Sequence, residues 1–299
     1  MRAREAISLL AVFATTSLSI AAAQVSSVSP QATDSHAVTV TFFVQDEHGN
    51  PVSTLQPPDL SVLDNGKPPV GIVTVASAKE LPLRLGILID NNPYLGVYYS
   101  KKQLQYEAAP KWVLDFVDEM LAKPEDKAFI ASYSTIRHGT TFTSRGQIQP
   151  IDLNQFLKTD APDFLGSRDA IRLACEEVFG ADPAGRERRI LIVVPGFDEA
   201  GRSLSDLAQT TAAAQLAGVK VFVSGWYGSP LQVIVSETGG YYLGWPDHTK
   251  SQIDSLYSLT YIPAGPYQSG KLRKLDVKIT TNKNWRVYAP KRYLAPSTQ

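Results

Sequence analysis

The segment Leu83–Ile89, LRLGILI, shows no alternation: apart from Arg84 every residue is apolar or glycine. A strand with one wet face repeats with period two, whereas a strand apolar on both sides has to be covered on both. Three later runs share this character: KAFIASYS at 127–134, RRILIVVP at 188–195 and VKVFVSGW at 219–226. Helical periodicity fills the gaps. Trp112, Val113, Phe116, Val117, Met120 and Leu121 form one stripe, and Ala170, Ile171, Ala174, Cys175, Val178 and Phe179 another. Further helices are expected at 152–158, from a Ser203 cap with Asp206 three residues on to a Gly218 stop, and from Ser229-Pro230 to Gly239-Gly240. TTFTS (140–144) reads as an antiparallel edge and YYLG as a last short strand. This alternation predicts an α/β domain over residues 80–247, a doubly wound and mostly parallel sheet.

The two ends read differently. Residues 37–77 alternate apolar and polar and are punctuated by the turn signals HGNP and Asn65-Gly66, the latter a hairpin signal. After residue 247 a short helical stretch leads into LYSLTYIP, KLRKLDVKIT and NWRVYAPKRYLAP, which alternate again. Residues 248–299 have too few strands for a sheet of their own. The expectation is a small β module in which they pack with residues 36–79, after a flexible lead-in over 24–35.

The first residues read as a targeting segment. Arg2 and Arg4 precede the apolar run AISLLAVFATTSLSIAAA, which closes on Ala21-Ala22-Ala23. Residues 1–23 are therefore expected to be a cleavable signal peptide, cut after Ala23, with the mature chain periplasmic or secreted. No later segment reads as a transmembrane span. The single cysteine, Cys175, falls on an apolar helical stripe and is expected to be a buried small hydrophobe. With 29 basic and 29 acidic residues the formal charge is zero, which gives no footprint for nucleic acid.

Certain stretches carry a family likeness. VTFFVQDEHGNPVSTLQPPDLSVLDNGKPPVGIV resembles the opening β segment of the von Willebrand factor A-related proteins common in Acidobacteria. LPLRLGILID and RRILIVVPG are similar to their first and fourth A-domain strands. YSLTYIPAGPYQSGKLRKLDVKI followed by KRYLAP resembles their C-terminal tail. The resemblance implies a von Willebrand factor A-like, Rossmann-like fold with a β module made from both ends. It also implies a place to look for a metal-ion-dependent adhesion site, at the carboxyl edge of the sheet. In that family the first loop reads Asp-x-Ser-x-Ser, a threonine precedes the third helix and an aspartate follows the fourth strand.

Here the first loop is Asp90-Asn91-Asn92-Pro93-Tyr94, which keeps only the aspartate and puts a bulky phenol where a small hydroxyl belongs. The threonine position falls near Leu165, with Ser167 the nearest hydroxyl. Pro195-Gly196-Phe197 follows the fourth strand, and Asp198 comes about two residues late. Set against the family pattern the site is degenerate, so no cofactor is expected. A variant magnesium or calcium site would have to use Asp90, Asn92, Ser167 and Asp198. Read from the residues alone, an Asp-Asn-Asn-Pro run suits an aspartate that caps backbone N–H groups of its own loop or of the next helix.

Other chemistry finds no foothold. The sequence contains no His-Glu-x-x-His, no Gly-x-Ser-x-Gly and no phosphate-loop pattern, and its four histidines are scattered. No enzyme activity is expected. The expected function is protein–protein interaction, with an unidentified cell-envelope or extracellular partner. Tyr94, Phe197, Trp226, Tyr227 and Trp245 follow strand ends and form the candidate interaction rim. Lys271, Arg273, Lys274 and Lys278 form a basic run, read either as charge that guards an edge strand or as a patch for an anionic partner.

Overall fold

The computed structural model describes residues 37–90, 113–133, 135–136, 140–148, 165–181, 186–194, 203–224, 230–243, 249–265 and 270–295. The strands are β1 (Val38–Gln45), β2 (Leu60–Asp64), β3 (Gly71–Ser77), β4 (Leu83–Ile89), β5 (Lys127–Ser132), β6 (Thr143–Ser144), β7 (Arg188–Val194), β8 (Lys220–Ser224), β9 (Tyr242–Leu243), β10 (Tyr257–Ile262), β11 (Leu272–Ile279), β12 (Arg286–Tyr288) and β13 (Arg292–Leu294). The helices are α1 (113–120), α2 (Ser167–Leu173, continued as π-helix over Ala174–Phe179), α3 (Leu207–Leu216), α4 (Gln232–Thr238) and α5 (Thr249–Asp254). The helix expected at 152–158 lies outside the described residues.

The fold is α/β. Its middle is a six-stranded sheet in the order β6-β5-β4-β7-β8-β9. The pairs β4–β5, β4–β7, β7–β8 and β8–β9 are parallel, and only the edge pair β5–β6 is antiparallel. Successive side chains of β4 go to opposite faces, as strand geometry requires. Leu85, Ile87 and Ile89 join one apolar cluster with Val113, Phe116, Val117 and Met120 of α1. Leu88 joins another with Ile171 of α2, Ala213 of α3 and Ile234 of α4. The run LRLGILI lacks alternation because both of its faces are covered. Gly86 is the exception that fits the rule: a Cβ there would collide with the Phe129 ring, so the glycine makes room for the neighbouring strand's phenylalanine.

The two ends of the chain build two antiparallel sheets, β12-β1-β10-β3 and β13-β11-β2. Every C-terminal strand except β13 pairs directly with an N-terminal one. β10 lies between β1 and β3, β12 pairs with β1, and β11 pairs with β2. Between the sheets lies a core of Val40, Phe42, Val62, Leu259, Tyr261, Leu275 and Val277. The Asn65-Gly66 turn departs from expectation. Both residues have positive φ (49° and 78°), the conformation of a two-residue hairpin turn, and Lys67 N donates to Asp64 O. Yet the strands on either side do not pair with each other: after an isolated bridge Asp64–Lys67, the chain crosses to the other sheet. Pro68-Pro69 explains the failure, since neither residue has an N–H to extend a hairpin ladder.

Aromatic rings join the β layers to the α/β part. Phe43 leaves the β1 face that lines the sandwich and enters the cluster under β4 and β8. It stacks on Tyr288 at 4.4 Å and meets Tyr241 edge-on at 5.8 Å. Gly239, the left-handed C-cap of α4, lies so close to Ala289 that a side chain would not fit, and Lys291 N donates to Glu237 O at 2.9 Å.

Candidate functional site

Strand order fixes where a ligand would approach. β5 lies on one side of β4 and β7 on the other, so the direction of winding reverses between β4 and β7. Open parallel sheets bind ligands beyond the carboxyl ends of their strands at such a reversal, where adjacent loops diverge. Asp90 is the residue immediately after β4 at this point. Its N–H donates to Val194 O at the end of β7 (3.0 Å), and Tyr133 N donates to Ile89 O on the other side (3.1 Å). Asp90 is 7% exposed.

Ser167 is the first residue of α2 and 1% exposed, and Leu165 packs into the core cluster under α2, α3 and α4. Asn92, Tyr94, Phe197, Asp198, Trp226, Tyr227 and Trp245 lie outside the described residues. Among the described residues no three histidine, cysteine, aspartate or glutamate side chains stand together as metal ligands.

A polar cluster that the sequence reading passed over holds the start of α2. Asp169 Oδ2 accepts from Leu204 N (2.8 Å), and Oδ1 accepts from Ser205 N (2.8 Å) and Ser205 Oγ (2.5 Å). Ser203 Oγ accepts from Arg168 N at 3.2 Å, and a Cβ on Gly166 would strike Ser203. Burial pushes the Asp169 carboxyl up, but the bonds from Ser205 and Leu204 outweigh it and hold the group below the ordinary carboxylate value. An aspartate with three donors on two oxygens is a latch, not a base. It fixes the segment after β7 against α2 and leaves little capacity for a reacting proton. The latch also moves the cap of α3. Ser203 was expected there, but Asp206 is the cap, accepting from Gln209 N at 2.7 Å while the Gln209 side chain reaches back to Asp206 N. The signal was present as Asp206 followed three residues on by Gln209.

Cys175 is 1% exposed and its thiol is pushed up by burial, which suits a packing residue rather than a nucleophile.

No protein-family model matches the chain, and no curated protein matches it. Solved structures similar to it include a von Willebrand factor type A protein from Catenulispora acidiphila, 9% identical, with 81% of this chain and 75% of that chain aligned at a TM-score of 0.43. Proximal thread matrix protein 1 from the mussel byssus is 12% identical over 60% of this chain, with a TM-score of 0.39. The N-terminal domain of TFIIH p34 is 16% identical over 59% of this chain, with a TM-score of 0.37. The alignment spans about half the length of the mussel protein, 47%, and 96% of the p34 domain. Scores this low describe likeness only; the architecture above stands on strand order and register.

Of the basic run, Arg273 is not on the surface. Its Nε donates to Asp64 Oδ1 at 2.8 Å inside the sandwich, and Tyr293 Oη donates to Asp64 Oδ2 at 2.8 Å. The three residues tie β2, β11 and β13 together, and the pairing satisfies a carboxylate that would otherwise be costly to bury. Among the described residues no helix is long and apolar enough to cross a membrane.

Proposed function

We propose that this chain is an exported, non-catalytic protein–protein interaction module, built on a von Willebrand factor A-like doubly wound domain that works without an obligatory metal ion. The placement of Asp90 carries the reading. The chain presents its ligand edge at the point where winding reverses between β4 and β7, and there the one retained family aspartate is 7% exposed. Leu165, packed in the core, brings no hydroxyl, which leaves Ser167 as the one candidate hydroxyl of the notional ligand set. Magnesium or calcium at Asp90, Asn92, Ser167 and Asp198 is the competing reading.

Capture from a cell-envelope extract onto the immobilised chain, with and without chelator, separates the two. The expected result is a specific protein retained equally in chelator and by Asp90→Ala. Retention that is lost in chelator, restored by magnesium or calcium and absent in Asp90→Ala would transfer the function to the metal reading.

A further inference from the structure

The face of the β13-β11-β2 sheet that points away from the sandwich core carries a charge pattern that no ion pair among the described residues balances. Residues 270–295 hold eight lysines and arginines and a single carboxylate, Asp276. Arg273 is taken up by Asp64, and Asp276 is taken up by Lys278 at 2.7 Å. On the outer face Lys274 of β11 stands directly opposite Arg292 of β13, and both are exposed. Neither has an ion-pair partner among the described residues. Lys67, exposed, comes from the turn that lies against Lys274, where Lys274 N donates to Asn65 Oδ1 at 2.9 Å. Like charges opposed across a ladder destabilise a sheet. Edge protection does not account for Lys274, because β11 is the middle strand of the three.

The next rung of the same face is apolar. Leu272 pairs with Leu294, and Leu294 is 38% exposed. A rung of two cations beside a rung of two leucines matches an extended partner segment that sets carboxylates and apolar side chains in turn along one of its faces, two residues apart. A phosphate polymer or an acidic glycan would satisfy the cations and leave the leucines wet. We propose that this face docks an acidic, leucine-bearing peptide segment of a partner protein, with Lys274 and Arg292 as its carboxylate contacts. The surface belongs to the β layers, not to the strand-end edge at Asp90, so the inference stands whether or not the reading of that edge does.

The test uses the full chain and a fluorescein-labelled peptide of Glu-Ser-Leu-Ser repeats, in which glutamate and leucine alternate along one face of an extended strand, followed by anisotropy. A peptide with glutamine in place of glutamate is the control. The acidic peptide should bind, with affinity falling as salt is raised, and the control should not. Arg292→Glu should weaken binding about tenfold or more. The same substitution should raise the melting temperature, because it replaces a cross-strand repulsion with an attraction. That rise separates lost binding from lost fold, and Lys274→Gln serves as a second variant expected to weaken binding. Unchanged binding in both variants would overturn the proposal. So would binding of inorganic polyphosphate or phosphatidylglycerol vesicles through these residues while the peptide fails to bind.

Discussion

Lys220 opens β8 with 3% of its surface exposed, and its Nζ donates to Gly239 O at 3.5 Å. Burial pushes its amine down to about 7 from an ordinary 10.5. Between those values the unfolded chain carries a proton that the folded chain does not, so stability rises with pH across the window from about 7 to 10.5. Below about 7 the folded state holds a buried cation and the contribution is at its least favourable. Lys220→Met is expected to stabilise the protein at neutral pH and below, by an amount on the order of a few kcal/mol, with the gain shrinking towards pH 10. Melting curves of both proteins across that range check it; a gain independent of pH would show that the amine is not held neutral. Nothing in VKVFVSGW marked this lysine as buried, because a lysine at a strand's first position is ordinarily solvated. Cys175 was legible, since its helical stripe was complete. Asp169 was not, because its partners lie on a segment more than thirty residues away.

At the scale of elements, the pattern of hydrophobic residues named the strands better than it named their neighbours. LYSLTYIP was readable as a strand, but nothing local says that β10 inserts between β1 and β3. That placement follows from burial: Tyr257, Leu259 and Tyr261 need a covered face, and the N-terminal strands supply it. The turn at Asn65-Gly66 shows the reverse case, where a strong local signal formed its turn and the two prolines after it cancelled the hairpin. If the sheets depend on the C-terminal strands, truncation after Pro246 removes β10 to β13. β1 then loses both neighbours, and β2 and β3 lose the only strands they pair with among the described residues. The expected product exposes unpaired edges and apolar faces and aggregates. Size-exclusion chromatography and melting decide it: a truncated chain that stays monomeric and melts cooperatively at the full-length temperature would show that the pairing is dispensable.

At the scale of the molecule, one chain supplies two features of different chemistry: the strand end at Asp90, and the exposed cationic outer face of β11 and β13. The first was legible because a buried strand delivering an aspartate onto a loop is a pattern of a few adjacent residues. The second was legible only as a basic run, because separating Arg273, buried on Asp64, from Lys274, exposed opposite Arg292, requires knowing which strand lies in the middle. The edge at Asp90 is proposed to work without a metal ion. A metal that binds the native state alone raises stability by about 2.7 kcal/mol at one hundred times its Kd, a shift of several degrees in a domain of this size. The measurement is the melting temperature of the wild type and of Asp90→Ala with and without millimolar magnesium, calcium or manganese. No divalent-dependent shift is expected in either protein, with Asp90→Ala melting lower by the equivalent of about 0.5–2 kcal/mol if Asp90 caps its loop. A stabilisation of several degrees in the wild type that disappears in Asp90→Ala would contradict it.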